Sequence, residues 1–290
     1  MTNVVDGHLH LFRGESGQYP RTVYPVMAEA DREELAEKLI AQMSAAGVDH
    51  AIVVPLSRHD DYLRDVLRNH PSRFAGVGVY DLEAPDGVDG VTRRLAECDL
   101  QGLRFFGIGA KPGSRPEDLA VFPVLELMAE RGLVMWFYGD EVQVKALDLV
   151  LRRLPSLRVV MNHLGFLPDI HAEMQVDEFV RPHFEVDLPP AGLPIVERLA
   201  AEHEHLYVHF SGHYAFTKRP YPYDDLADVA VRLRVAFGAH RMIMASDWPW
   251  IEVEPGYRRV LEVVDHHLPD LTTEERSMIR GGTALGLFRF

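Results

Sequence analysis

Apolar residues along this chain alternate between two rhythms. Short, nearly continuous apolar or β-branched runs recur at Asn3–Asp6, Ala51–Val54, Phe74–Val79, Gly102–Phe106, Val134–Tyr138, Arg158–Met161, Leu206–Phe210 and Arg241–Met244. Runs of this kind suit parallel strands buried on both faces. Between them the period lengthens to that of a helix. Asp31–Ala46 carries Leu35, Leu39 and Met43 on one face and meets Gly47, a natural C-terminal cap. Val142–Leu154 places Val144, Leu147, Leu151 and Leu154 at 3–4 spacing and stops at Pro155. Leu226–Phe237 repeats the pattern and ends at Gly238. Asp60–Asn69, Gly87–Glu97, Val124–Arg131, Ile195–Glu202 and Tyr257–Leu268 complete the set, and Thr272–Arg280 reads as an extra C-terminal helix. The Pro-rich stretches Leu188–Pro194 and Arg219–Tyr223 read as loops.

Eight strand–helix units in this length predict a single-domain (β/α)₈ barrel, an α/β fold spanning residues 1–290. The rival, an open doubly wound sheet, normally places a Gly-rich phosphate loop after its first strand. Here that position holds His8-Leu9-His10. In a barrel the chemistry sits at the C-terminal ends of the strands. Those ends carry His8 and His10, Arg104, Tyr138, Asn162-His163, His209 and Ser211, and Ser246-Asp247. Alternate residues of a strand share a face, so His8 and His10 point together into the mouth. Two imidazoles and a carboxylate, His8, His10 and Asp247, are a plausible set for one divalent ion. Without an ion, Asp247 can act as general base and the histidines can stabilise an oxyanion.

Composition narrows the classes. With 47% hydrophobic residues the chain can bury a large core. Lys plus Arg is 30 against 44 Asp plus Glu, a formal charge of −14 that argues against a nucleic-acid partner. The single cysteine, Cys98, forms no internal disulfide, no apolar run reaches membrane-spanning length, and the N-terminus lacks a signal-peptide pattern. These features predict a cytoplasmic protein acting on a small molecule, as a monomer or homodimer, away from membranes. The chain has 15 histidines. His59, His70, His171, His203, His205, His266 and His267 fall in helix or loop patterns and read as solvated, whereas His209 and His213 flank the seventh strand end. The cations Arg104, Lys111, Lys218 and Arg219 are expected near the mouth.

The segments Val5-Asp6-Gly7-His8-Leu9-His10-Leu11-Phe12, Val160-Met161-Asn162-His163-Leu164-Gly165 and Ala245-Ser246-Asp247-Trp248-Pro249 resemble the amidohydrolase superfamily, and within it the amidohydrolase-related (family 2) branch. The resemblance runs from residue 4 to the C-terminus and is nearest to the 2-pyrone-4,6-dicarboxylate lactonase and sugar-lactonase group. It implies a lactone-opening hydrolase in which Asp247 activates water while His8, His10 and His163 surround the carbonyl. It places Tyr138, Arg104 and Tyr24 against the substrate, and Trp250, His209 and Lys111 stand at or beside further substrate-binding positions. Departures accompany it. Tyr138 stands where branch members with a firm metal site carry histidine. Ala110 and the neighbourhood of Ala215 stand where the pyrone lactonase carries arginines, and Trp250 replaces a histidine. The cofactor expectation is therefore one divalent ion, zinc or manganese, or none. The alternative reading is a metal-dependent decarboxylase of an aromatic or unsaturated acid; a third is a binder without turnover.

Overall fold

The structure, a computed structural model, describes residues 3–170 and 172–290; His171 lies outside the described residues. Eight parallel strands follow one another around a barrel: β1 (Val5–Leu9), β2 (His50–Val53), β3 (Phe74–Tyr80), β4 (Leu100–Phe106), β5 (Val134–Tyr138), β6 (Arg158–Met161), β7 (Leu206–Phe210) and β8 (Met242–Met244). The crossovers carry α1 (Ala36–Ala46), α2 (Asp61–Asn69), α3 (Gly87–Cys98), α4 (Phe122–Arg131), α5 (Glu141–Arg153), α6 (Leu193–Glu202), a four-residue α7 (His213–Phe216) and α8 (Ala227–Phe237), with α9 (Tyr257–His267) after the last strand. Every predicted strand is present, β5, β6 and β7 with the expected bounds. α1 begins five residues later than its periodicity suggests. Residues ahead of it are used otherwise: Phe12 and Glu34 exchange backbone hydrogen bonds of 3.0 and 2.8 Å.

The apolar residues divide into two cores. Ile52, Val77, Trp136, Val160 and Ile243 fill the inside of the barrel, and a larger set packs the helices onto its outside. This is why the strands read as continuous apolar runs: both faces are buried. The C-terminal segment is longer than expected. Thr273–Ser277 passes through a π-type turn, Met278–Gly282, into Thr283–Leu287. It delivers Ala284 and Phe288 to the inner core, and burying a side chain like Phe288 is worth about 1.5–3 kcal/mol.

The ring closes between β1 and β8 by an irregular join. Parallel ladders run in order from β1 to β8, but the last contact is a single bridge, Leu9 to Trp248. The His10 amide donates to Trp248 O at 2.7 Å and the Asp247 amide donates to His8 O at 2.9 Å. Below them the carboxylate of Asp6 substitutes for ladder carbonyls, accepting from the Ser246 amide (2.8 Å) and the Ser246 hydroxyl (2.5 Å). Close approach requires Gly7 here, since a Cβ would lie 2.3 Å from Ile243 Cγ2 and 2.9 Å from Met244 O.

Candidate active site

The closing seam brings His8 and Asp247 side by side at the C-terminal mouth. The pairing register shifts between Asp6 and Leu9, so Asp6 turns outward to Tyr257 of α9 while His8 turns inward onto Trp136. His8 Nε2 and His10 Nε2 lie 3.7 and 3.5 Å from Asp247 Oδ1, and His163 Nε2 lies 3.9 Å from Asp247 Oδ2. The four predicted residues therefore converge from β1, the end of β6 and the end of β8. Both His163 (φ 45°) and Asp247 (φ 60°) adopt the left-handed backbone region. A non-glycine residue there costs on the order of 1–3 kcal/mol, and such strain gathers at functional sites. Gly212 yields space for it: a Cβ would lie 2.7 Å from His163 Nδ1.

Hydrogen bonds fix the rings. His10 Nδ1 lies 3.0 Å from Val54 O, and a carbonyl oxygen only accepts, so in neutral His10 the proton is on Nδ1 and Nε2 presents a lone pair to Asp247 Oδ1. Two lone-pair-bearing atoms facing each other in a buried site call for a proton or a cation between them. Both nitrogens of His8 and Oδ1 of Asp247 are buried without partners. The set His8, His10 and Asp247, whose ligand atoms lie within 4.8 Å of one another, thus fits one divalent ion. Tyr138, standing at the β5 position, lines the cavity, and its hydroxyl has no partner.

Electrostatics assign the charge states. Burial alone would raise the pKa of Asp247, but His163, His10 and the Tyr214 hydroxyl outweigh it and hold the carboxyl well below its usual range. Burial depresses His8, His10 and His163, the last to about 4. Burial raises the Tyr138 phenol, which stays protonated at neutral pH. The neutral-pH site is one carboxylate among neutral imidazoles.

Tyr214 escapes any sequence motif. Its buried hydroxyl donates to Asp247 Oδ2 at 2.6 Å, a charge-assisted bond. It sits on α7, and its ring lies 5.0 Å from the guanidinium of Arg181. Arg181 is held by Asp177 (2.8 Å) and by the Glu254 carboxylate (2.7 Å). A buried arginine amid a long connection was the available signal, but nothing local ties it to Tyr214.

A cavity of about 190 Å³ opens over these groups. Arg104, Tyr24, Tyr138 and Trp250 line it with His10, His163 and Asp247. Arg104 is buried with Phe106 at 4.6 Å, and among the described residues no carboxylate lies within 4.0 Å of its guanidinium. Two expected substrate residues are placed elsewhere. His209 is buried beneath the cavity, stacked on His8 at 5.3 Å and against Trp136 at 4.6 Å. Lys111 is exposed outside the lining. Its loop is folded onto α5 because Gln143 accepts from the Ile108 and Ala110 amides and donates to Ala110 O. Lys218 is exposed beside Asp187, and Arg219 lines a separate surface depression, so the expected cluster of cations reduces to Arg104. His267, expected in solvent, is buried and bonded to Pro222 O at 2.7 Å.

Comparison with known proteins gives consistent results. The sequence profile of the amidohydrolase family matches residues 5–290. An L-fucono-1,5-lactonase of Burkholderia ambifaria is 26% identical over 258 residues, 86% of this chain and 81% of that protein. An amidohydrolase from Burkholderia multivorans, solved with bound zinc, superposes with a TM-score of 0.74 at 23% identity, covering 98% of each chain. A candidate 2-pyrone-4,6-dicarboxylic acid hydrolase from Pseudomonas putida superposes at 0.72 and 20% identity over 99% of this chain and 97% of the other. At these identities the two structural likenesses speak for the barrel fold.

Proposed function

Because the chain belongs to the amidohydrolase family, we propose that residues 1–290 work as one catalytic barrel that opens a lactone or related cyclic ester of a small carboxylate-bearing or aromatic molecule. The observation that carries this reading is Asp247: a buried carboxylate with Oδ2 held by Tyr214 and Oδ1 open toward the histidines. An open, ionised oxygen beside the cavity is placed to accept a proton from water. The L-fucono-1,5-lactonase relative supports a cyclic ester as the substrate.

In the proposed reaction Asp247 Oδ1 accepts a proton from water as the water oxygen adds to the lactone carbonyl. Charge passes to the carbonyl oxygen, where N–H groups of His8 and His163 stabilise it. His10 would add to this field as a metal ligand through Nε2, since its Nδ1 faces Val54 O. The ring C–O bond then breaks, and the proton on Asp247 returns to the departing alkoxide. When bound by His8, His10 and Asp247, zinc or manganese would supply Lewis acidity toward carbonyl and water. Arg104 and Tyr138 orient the substrate, with Tyr24 and Trp250 along the wall. The protein acts on small molecules in the cytoplasm, as a monomer or homodimer; no helix among the described residues is long and apolar enough to cross a membrane.

The test is proton release from a lactone panel, using protein whose metal content has been measured and restored. Ring opening above the uncatalysed rate is expected. Failure with every lactone counts against the reading, and CO₂ release from an aromatic acid would move the assignment to decarboxylation.

A further inference from the structure

This inference rests on the lactonase reading of the same cavity and concerns which lactone it admits. The lining has two unlike halves. Toward the strand ends it is polar, with His10, His163, Asp247, Tyr138 and Arg104. The lining also holds Ile170, Met174, Phe184, Phe216 and Leu56, side chains with no hydrogen-bonding group. Among the described lining residues Arg104 is the one permanent cation and Asp247 the one anion. The Arg104 guanidinium is buried, its Nε has no partner, and no described carboxylate pairs with it. A buried guanidinium in that state has capacity for one incoming carboxylate.

The apolar half is a fixed wall. Phe216 stacks on Phe166 at 4.2 Å and on Phe184 at 5.5 Å. The Phe184 amide donates to Ala215 O at 2.8 Å. Arg181, three residues before Phe184, is locked by Asp177 and Glu254. Among the described residues this wall offers no partner to a second carboxylate, and none to sugar hydroxyls placed against it.

We propose that the substrate is a lactone bearing one carboxylate, seated on Arg104, and one aromatic or branched-alkyl substituent, seated against Met174, Phe184 and Phe216. Dicarboxylate lactones and polyhydroxylated sugar lactones, which would set polar groups against the same wall, bind more weakly.

The experiment measures equilibrium binding to the wild-type protein of three lactams of matched ring size, which keep the ring carbonyl and resist opening. One carries a carboxylate and a phenyl group, one two carboxylates, and one several hydroxyls. Quenching of tryptophan fluorescence reports occupancy, because Trp250 lines the cavity. The phenyl monocarboxylate is expected to bind at least about 30-fold more tightly than either of the others. Equal or tighter binding of the dicarboxylate or the polyol overturns the inference. In Met174→Ser the phenyl compound should weaken about fivefold while an unsubstituted lactam monocarboxylate is unchanged; equal weakening of both removes the wall from specificity. Turnover of the matching lactones is scored separately. Tight phenyl-monocarboxylate binding with no lactone opened leaves the specificity standing and sinks the lactonase reading.

Discussion

Asp6 and Asp247 are two buried carboxylates on opposite sides of one seam, and they have opposite surroundings. Asp6 faces outward from β1 and accepts from the Ser246 amide, the Ser246 hydroxyl and the Tyr257 hydroxyl (3.0 Å). Its pKa is nonetheless pushed up to about 6, because complete burial outweighs those hydrogen bonds. Asp247 faces inward, keeps one oxygen without a partner, and is held well below the usual range because the neighbouring histidines and Tyr214 outweigh burial. Burial is the same in both. What separates a structural carboxylate from a chemical one is the unspent acceptor, and that is visible only once partners are counted atom by atom.

Replacing each in turn tests the distinction. The largest effect is expected from Asp247→Asn, which keeps shape and removes the base: lactone turnover should fall about 10²–10⁴-fold in protein that remains folded. Retained turnover would show that Asp247 is no base. Asp6→Asn should act in the other currency, lowering unfolding free energy by about 3 kcal/mol in denaturant titrations while kcat per folded molecule stays within about fivefold of wild type. A 100-fold loss of kcat in the folded variant would erase the contrast between the two carboxylates. Tyr214→Phe removes one donor from Asp247 and should lower kcat about tenfold with little change in KM. An altered KM alone would make Tyr214 a binding residue instead.

The smallest effect lies behind the site. His213 is buried with Nε2 unpartnered, facing the rings of Phe210, Tyr223 and His267, and Asp224 lies near His267. Burial holds its pKa well below 6.5 in the folded protein. The unfolded chain then binds the extra proton, so stability falls as pH drops below about 6.5, by about 1.4 kcal/mol per pH unit for each such histidine. His213→Leu should flatten the stability–pH slope between pH 6.5 and 5.5 by about that amount. An unchanged slope would mean that folded His213 takes up the proton as readily as the unfolded chain.

The barrel was legible because strands buried on both faces leave continuous apolar runs, and Phe74–Tyr80 or Val134–Tyr138 could hardly be anything else. The convergence of His8, His10, His163 and Asp247 followed from the rule that strand ends meet at the mouth. Three things did not follow. Tyr214 lies on a four-residue helix with no periodicity to read. Among its described residues the connection from Phe166 to Gly192 holds only two two-residue strands, Gln175–Val176 and Pro182–His183, so its apolar wall is set by tertiary contacts such as that of Phe184 with Phe216. Lys111 looked available for substrate because the grip of Gln143 on its loop, through Ile108 and Ala110, is a contact across 35 and 33 positions of sequence.

The irregular join between β1 and β8 also sets the order in which the molecule fails. Seven strand pairings are hydrogen-bonded ladders, two of them with a register shift, whereas the eighth depends on one bridge, a few amide bonds and the Asp6 carboxylate. Parting there would move His8 away from Asp247 while leaving the helices in place. In mild denaturant, activity should therefore vanish before helical ellipticity does, and the amides of His10, Ser246 and Asp247 should exchange their hydrogens ahead of those in β4 and β5. The enzyme would lose its chemistry as an early fraying event, long before it loses its shape.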